Sequence, residues 1–248
     1  MQNKFKVFSL LMAIGMGANL TACNGSPSSR QDTANPNVQS APLTKSEQTN
    51  GQAADNNQGK IANAEFKDKL RGEELLSALQ KGGYIIYFRH TQTNKGEKDQ
   101  ASSKSDLANC ELQRQLSQEG TQQAQEIGAA FTAKNIPVGE VITSEYCRTW
   151  KTADSAFGQH VKNPRLNYLP TKTPSPQQRD EAEKNVKPLL TALPKAEKNT
   201  VIVGHSDIFE VTTGILPEPE GVAYVMTPNG KGDFVLEANV LPEEWSKL

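Results

Sequence analysis

Tyr84-Ile85-Ile86-Tyr87-Phe88-Arg89-His90-Thr91-Gln92-Thr93-Asn94 is the stretch from which the rest of the chain is read. Five apolar residues follow one another without a polar break, the pattern of a strand buried on both faces rather than one with a wetted side. The run passes directly into Arg89 and His90, which places reactive side chains at the carboxyl end of a strand, where ligands collect in sheets covered by helices. Just upstream, Glu73–Lys81 carries Leu75, Leu76 and Leu79 at helical spacing and stops at Gly82-Gly83, as a helix C-terminus does.

The same pattern recurs downstream. A polar loop to about Leu116 precedes a predicted helix over Ser117–Lys134, with Ala124, Ile127 and Phe131 on one face and Pro137 beyond its end. A second strand, Glu140–Thr143, leads into Ser144-Glu145-Tyr146-Cys147-Arg148-Thr149-Trp150-Lys151-Thr152-Ala153, where Arg148 and Thr152 share a helix face. A proline-rich stretch, Pro164–Pro176, precedes a charged helix with a kink expected at Pro188. A third buried-type strand, Thr200–Val203, ends in Gly204-His205-Ser206, and the chain closes with a hairpin of Val222–Met226 and Phe234–Val240. Strands alternating with helices predict an α/β domain: three layers, α/β/α, around a mostly parallel central sheet. In such a sheet Arg89, His90, Arg148 and His205 converge on one crevice from three remote segments.

With 27 Lys and Arg against 28 Asp and Glu, the net charge of −1 gives no global field for nucleic acid, so the cations at the crevice form a local anion site. Guanidinium groups pair bidentately with phosphate oxygens, and neighbouring positive charge keeps an imidazole neutral and nucleophilic. Arg-His-Thr-x-Thr after the first strand, Ser-x-x-x-Arg-x-x-x-Thr-Ala after the second and Gly-His after the third resemble the histidine phosphatase superfamily, the phosphoglycerate mutase-like enzymes, over most of residues 70–240. The resemblance implies a phosphatase acting on phosphate monoesters or another small phosphorylated group through a phosphohistidine, with no metal and no cofactor. It implies His90 as nucleophile, Arg89 and Arg148 on the phosphoryl oxygens, His205 completing the pocket, and Thr93 and Asn94 lining it.

The sequence departs from that pattern in two places. Thr91 stands where the family usually has glycine, and its β-branched side chain is expected to narrow the approach to His90. The glutamate that often serves as general acid is missing; Asp207 is the candidate, with Glu145 and Glu210 as rivals. The alternative function is therefore a catalytically weak phosphatase-like domain that binds a phosphorylated or anionic ligand or an envelope partner.

Residues 1–22 read as a signal peptide: Lys4 and Lys6, then an apolar run from Val7 to Met16 too short to anchor in a bilayer. Leu20-Thr21-Ala22-Cys23 resembles the bacterial lipobox, which implies lipidation at Cys23 and attachment to a bilayer through acyl chains. Asn24 turns the expected location to the outer membrane, facing the periplasm. Residues 23–62 lack large apolar side chains almost entirely and are expected to be a disordered tether with a reach of roughly 35 Å, leaving 63–248 as the folded domain. With Cys23 committed, Cys110 and Cys147 form an even pair in a compartment that permits disulfides and are expected to bond. The loops 95–116 and 166–178 are expected to wall the crevice.

Overall fold

The computed structural model describes residues 51–248 except 102, 170, 172 and 173, without side chains for 51–56. The expected signal segment, the lipidation residue Cys23 and the tether as far as residue 50 lie outside the described residues. The apolar run forms β1 (Ile85–Arg89), the fourth strand of a six-stranded sheet that also contains β2 (Val138–Thr143), β3 (Val161–Lys162), β4 (Asn199–Gly204), β5 (Ala223–Pro228) and β6 (Phe234–Val240). The spatial order is β3-β2-β4-β1-β5-β6, with the first four strands parallel and the closing hairpin antiparallel. The sheet is thus mostly parallel, as the alternation of elements predicts. The edge strand β3 has two residues and leaves no periodic signal in the sequence.

Both faces of β1 are buried, and alternate residues serve opposite layers. Ile86 and Phe88 pack with Val201 and Val203 of β4 under α2 (Gly72–Lys81), α3 (Gln118–Ala133), α4 (Cys147–Phe157) and the C-terminal turn bearing Trp245. Ile85 and Tyr87 pack with Ile202 under α5 (Pro176–Leu190) and α6 (Ser206–Thr213). A period of two on a strand apolar throughout therefore builds two cores from one sequence, each large side chain contributing about 1.5–3 kcal/mol of burial. Pro188 lies in the last turn of α5, so the one i→i−4 bond that it removes, to the Lys184 carbonyl, falls at the end of the helix and leaves the preceding turns intact.

One boundary is corrected. Helix α1 (Gly51–Glu65) runs through residues 51–62, which composition assigned to the tether. Ala62 and Phe66 pack against the α5/α6 core, Leu216 N donates to Gly59 O at 3.0 Å, and Tyr224 Oη donates to Asn63 Oδ1 at 2.7 Å. A few contacts with a preformed core offset the ordering entropy that a polar segment cannot offset alone. Among the described residues no helix is long and apolar enough to cross a membrane.

Candidate active site

Because β1, β2 and β4 run parallel, the residues that follow them emerge side by side. His90 N donates to Gly204 O at 3.1 Å and Ser144 N to Val203 O at 3.3 Å, which carries the register past the last ladder pair. Gly204 is required here: a Cβ at this position would sit 2.1 Å from Tyr87 Oη. That hydroxyl, kept protonated by burial, donates to His205 O at 2.8 Å and fixes the backbone of His205. The two imidazoles meet with ring centroids 5.7 Å apart, each 2% exposed, in a cavity of about 640 Å³ also lined by Arg89, Arg114, Arg148 and Tyr168.

The hydrogen bonds decide which ring nitrogen carries the proton. His90 Nδ1 lies 2.9 Å from Thr91 O, which can only accept, so Nδ1 is protonated and Nε2 keeps its lone pair. His205 Nδ1 faces Arg148 Nη2 at 3.4 Å, a donor, while its Nε2 lies 2.8 Å from Ser144 Oγ. The proton is therefore on Nε2 of His205, and the bond continues through Ser144 Oγ to Thr149 Oγ1 at 2.8 Å and on to Tyr146 O at 2.7 Å. Burial, then Arg148 and Arg89, holds His90 well below the ordinary histidine range. Burial, then Arg148 and His90, does the same for His205. Both rings are neutral at pH 7.

The arginines are held in place by polar and aromatic partners. Arg148 Nη1 donates to Asp99 Oδ1 at 2.9 Å, and its guanidinium lies 4.9 Å from the Tyr146 ring centroid and 5.3 Å from that of Tyr168. Arg89 Nη1 donates to Pro217 O at 2.9 Å, and its Nη2 reaches Glu220 Oε1 at 3.4 Å. Such contacts fix planar donors before any ligand arrives, which is the preorganisation that stabilises developing negative charge.

This arrangement of sheet and crevice has solved counterparts. An Escherichia coli protein described as an alpha-ribazole-5'-P phosphatase superposes with a TM-score of 0.50 at 14% identity, over 65% of this chain and 98% of that one. The chain has the histidine phosphatase fold. The protein histidine phosphatase SixA bound to tungstate matches with a TM-score of 0.47 at 12% identity, over 65% and 98% of the two chains. A phosphoserine phosphatase from Entamoeba histolytica, in complex with 3-phosphoglyceric acid, matches at 0.47 and 15%, over 63% and 95%. No family model matches the chain, and no curated protein matches its sequence.

On this histidine phosphatase fold the four residues read from the strand ends do come together, but their neighbours are differently disposed. Thr91 does not narrow the approach: its side chain is fully buried against α4, with Oγ1 3.0 Å from Thr152 Oγ1. Thr93 and Asn94 do not line the cavity. Thr93 donates from its amide and hydroxyl to Glu220 at 2.9 and 3.0 Å, and Asn94 Nδ2 donates to Glu97 at 2.8 Å. Both therefore support the wall rather than form the pocket. Asp207 and Glu210 line the cavity and Glu145 does not, being bound to Asn167 at 2.8 Å. The Asp207 carboxyl is raised above the usual carboxylate range, chiefly by burial, although Leu169 N and Ile208 N donate to it at 2.7 and 2.9 Å. Residues of both expected wall loops, Glu97, Lys98 and Asp99 on one side and Tyr168 and Leu169 on the other, line the crevice.

Three members of the candidate site escape a reading of strand ends. Asp99, Arg114 and Glu220 lie in loops with no periodic signal, yet they pair with Arg148, His90 and Arg89. The cysteines hold a usable clue. Cys110 and Cys147 are bonded, as their pairing predicts, which keeps the residues that follow them within reach of one another, and Arg114 and Arg148 both line the cavity.

Proposed function

We propose that the domain hydrolyses phosphate monoesters of small molecules through a phosphohistidine formed on His90 Nε2. The observation that carries this reading is the unprotonated Nε2, fixed by the bond from Nδ1 to Thr91 O, facing guanidinium groups inside the cavity. Nε2 attacks phosphorus as the bond to the leaving oxygen breaks, and Arg89 and Arg148 take the charge spread over the transferring oxygens. His205, kept neutral by burial and by the neighbouring positive charge, takes a proton from water at Nδ1 as the phosphate dianion enters, and donates it in a hydrogen bond to the phosphoryl group. Asp207 is the group assigned to protonate the leaving oxygen, because burial lets a carboxyl carry a proton closer to neutrality. Water then attacks the phosphorus of the phosphohistidine, Asp207 takes a proton from it, and His90 and phosphate are released.

The turned-away Thr91 side chain removes one reason for reading the site as a weak binder. The experiment is acid-quenched mixing with a 32P-labelled monoester. An acid-labile phosphoprotein at up to one equivalent, lost in His90→Ala together with turnover, is the expected result. Full turnover by His90→Ala overturns the mechanism.

The reading extends to location: the domain is tethered at the cell envelope, facing the periplasm, through acyl chains on Cys23. The supports are the basic start, the short apolar run and the lipobox-like Leu20-Thr21-Ala22-Cys23. Labelled palmitate incorporated by the wild type and lost in Cys23→Ser is expected. Incorporation that survives Cys23→Ser rejects it.

A further inference from the structure

Arg114 enters the cavity from the loop between β1 and α3, a segment expected only to wall the crevice. Its Nη2 lies 3.4 Å from His90 Nε2, the atom assigned to attack. Its Nη1 lies 3.6 Å from Glu220 Oε1, the same oxygen that faces Arg89 Nη2 at 3.4 Å. Its Nε is buried and has no hydrogen-bond partner among the described residues, and neither have Nε of Arg89 and Arg148.

A purely structural ion pair does not account for this placement. A guanidinium that served only Glu220 would meet it edge to edge with two short N–H···O bonds. Glu220 instead spends its oxygens on Thr93 N, Thr93 Oγ1 and Arg89, leaving Arg114 one long contact. Glu220 aims the guanidinium without satisfying it. Arg89, Arg114 and Arg148 face the crevice, paired with two carboxylates, Glu220 and Asp99, the second of which lines the crevice with them. Cations gathered in a partly desolvated site are favourable only when an anion joins them.

We propose that Arg114 is a third phosphoryl-binding arginine, taking an oxygen of the group that is transferred to His90 Nε2. This rests on the phosphatase reading of the site. A phosphoryl group in transfer carries three equatorial oxygens, and Arg89, Arg148 and Arg114 supply guanidinium groups from three separate segments. As the phosphorus–nitrogen bond forms and the ester bond breaks, the weak contact of Arg114 with the lone pair is exchanged for a charge-assisted N–H···O bond. The contact is centred on the attacking atom, so it strengthens most as the bond forms. Loss of Arg114 therefore lowers kcat more than it raises KM.

The test compares wild type, Arg114→Gln and Arg114→Lys by p-nitrophenyl phosphate kinetics, by titration with orthovanadate and by thermal unfolding. Arg114→Gln is expected to lower kcat about a hundredfold, by analogy with loss of one oxyanion donor, and to weaken orthovanadate binding at least tenfold. Arg114→Lys, which keeps a point charge but no fork, recovers part of both. Removing this charge also lessens the depression of His90, so the acid limb of kcat/KM moves to higher pH in Arg114→Gln and stays in Arg114→Lys. If both variants bind orthovanadate and turn over like wild type, Arg114 only braces Glu220 and the inference is wrong. If Arg114→Gln does not fold, Arg114→Lys with unchanged kcat and unchanged orthovanadate affinity overturns it. Wild type that neither turns over nor binds orthovanadate sinks the phosphatase reading itself, a different result from an indifferent Arg114.

Discussion

Tyr87 and His205 are joined across the sheet: the Tyr87 hydroxyl donates to the His205 carbonyl at 2.8 Å, through the space that a side chain on Gly204 would fill. The first residue belongs to the strand that builds the core and the second to the crevice. One buried hydrogen bond thus serves both site and fold. Tyr87→Phe leaves that carbonyl only the longer bond from Phe209 N at 3.4 Å and is expected to cost about 1 kcal/mol with the fold retained. Gly204→Ala forces a methyl group onto the tyrosine ring and is expected to cost at least as much and to lower kcat more, because His205 itself moves. Urea unfolding and kcat for the two variants check the order; equal activity of Gly204→Ala and wild type contradicts it.

The neutral histidines make stability depend on pH with a definite sign. His90 and His205 have pKa values well below 6.5 in the folded protein, so below about pH 6.5 the unfolded chain binds protons that the folded chain refuses. Each histidine then lowers the unfolding free energy by up to about 1.4 kcal/mol per pH unit as the pH falls toward its folded value. Above pH 7 neither contributes a slope. Denaturation midpoints between pH 7.5 and 5 should fall for the wild type and fall less steeply for His90→Asn. The acid limb of kcat/KM should likewise lie below pH 6.5, since His90 stays unprotonated there.

The disulfide links two parts of the site rather than two parts of the core. Cys147 precedes Arg148, and Cys110 lies in the loop that carries Asp99 and Arg114. Replacing both with serine reopens a 37-residue separation, worth on the order of 4 kcal/mol in the chain-entropy account. The double variant should keep its far-UV circular dichroism at 25 °C, unfold at lower denaturant and show a raised KM for p-nitrophenyl phosphate. An unchanged KM would mean that the hydrogen bonds Cys147 N to Gln113 and Arg148 to Asp99 hold the loop unaided.

What could be read in the sequence divides along physical lines. Tyr84–Phe88 and Thr200–Val203 announce buried strands because burial on both faces demands unbroken apolar runs, and Arg89, His90 and His205 follow from where those strands end. Asp99, Arg114 and Glu220 answer to no period: they are set by loop paths, which depend on tertiary contacts. Thr91 shows the same limit in reverse. Its bulk was legible, but the direction of its side chain, toward Thr152 and away from the crevice, depends on how α4 packs. Residues 51–62 became helix for a reason outside themselves, the core surface offered to Ala62 and Phe66.

Asp207 is the residue whose role the leaving group decides. Its carboxyl is raised by burial while Leu169 N and Ile208 N donate to it, opposing influences of which burial is the larger. A general acid matters in proportion to the basicity of the oxygen it protonates. Asp207→Asn should therefore cost little on p-nitrophenyl phosphate, whose leaving oxygen departs as a stable anion, and about 10²–10³-fold in kcat on an alkyl phosphate, within the usual range for acid catalysis. The amide keeps the shape of the carboxyl, so a structural effect would reduce both substrates alike. Equal losses on the two would assign Asp207 to holding Leu169 and the wall of the cavity; Glu210→Gln, tested in the same pair of assays, would then show whether the other carboxylate lining the crevice supplies the proton.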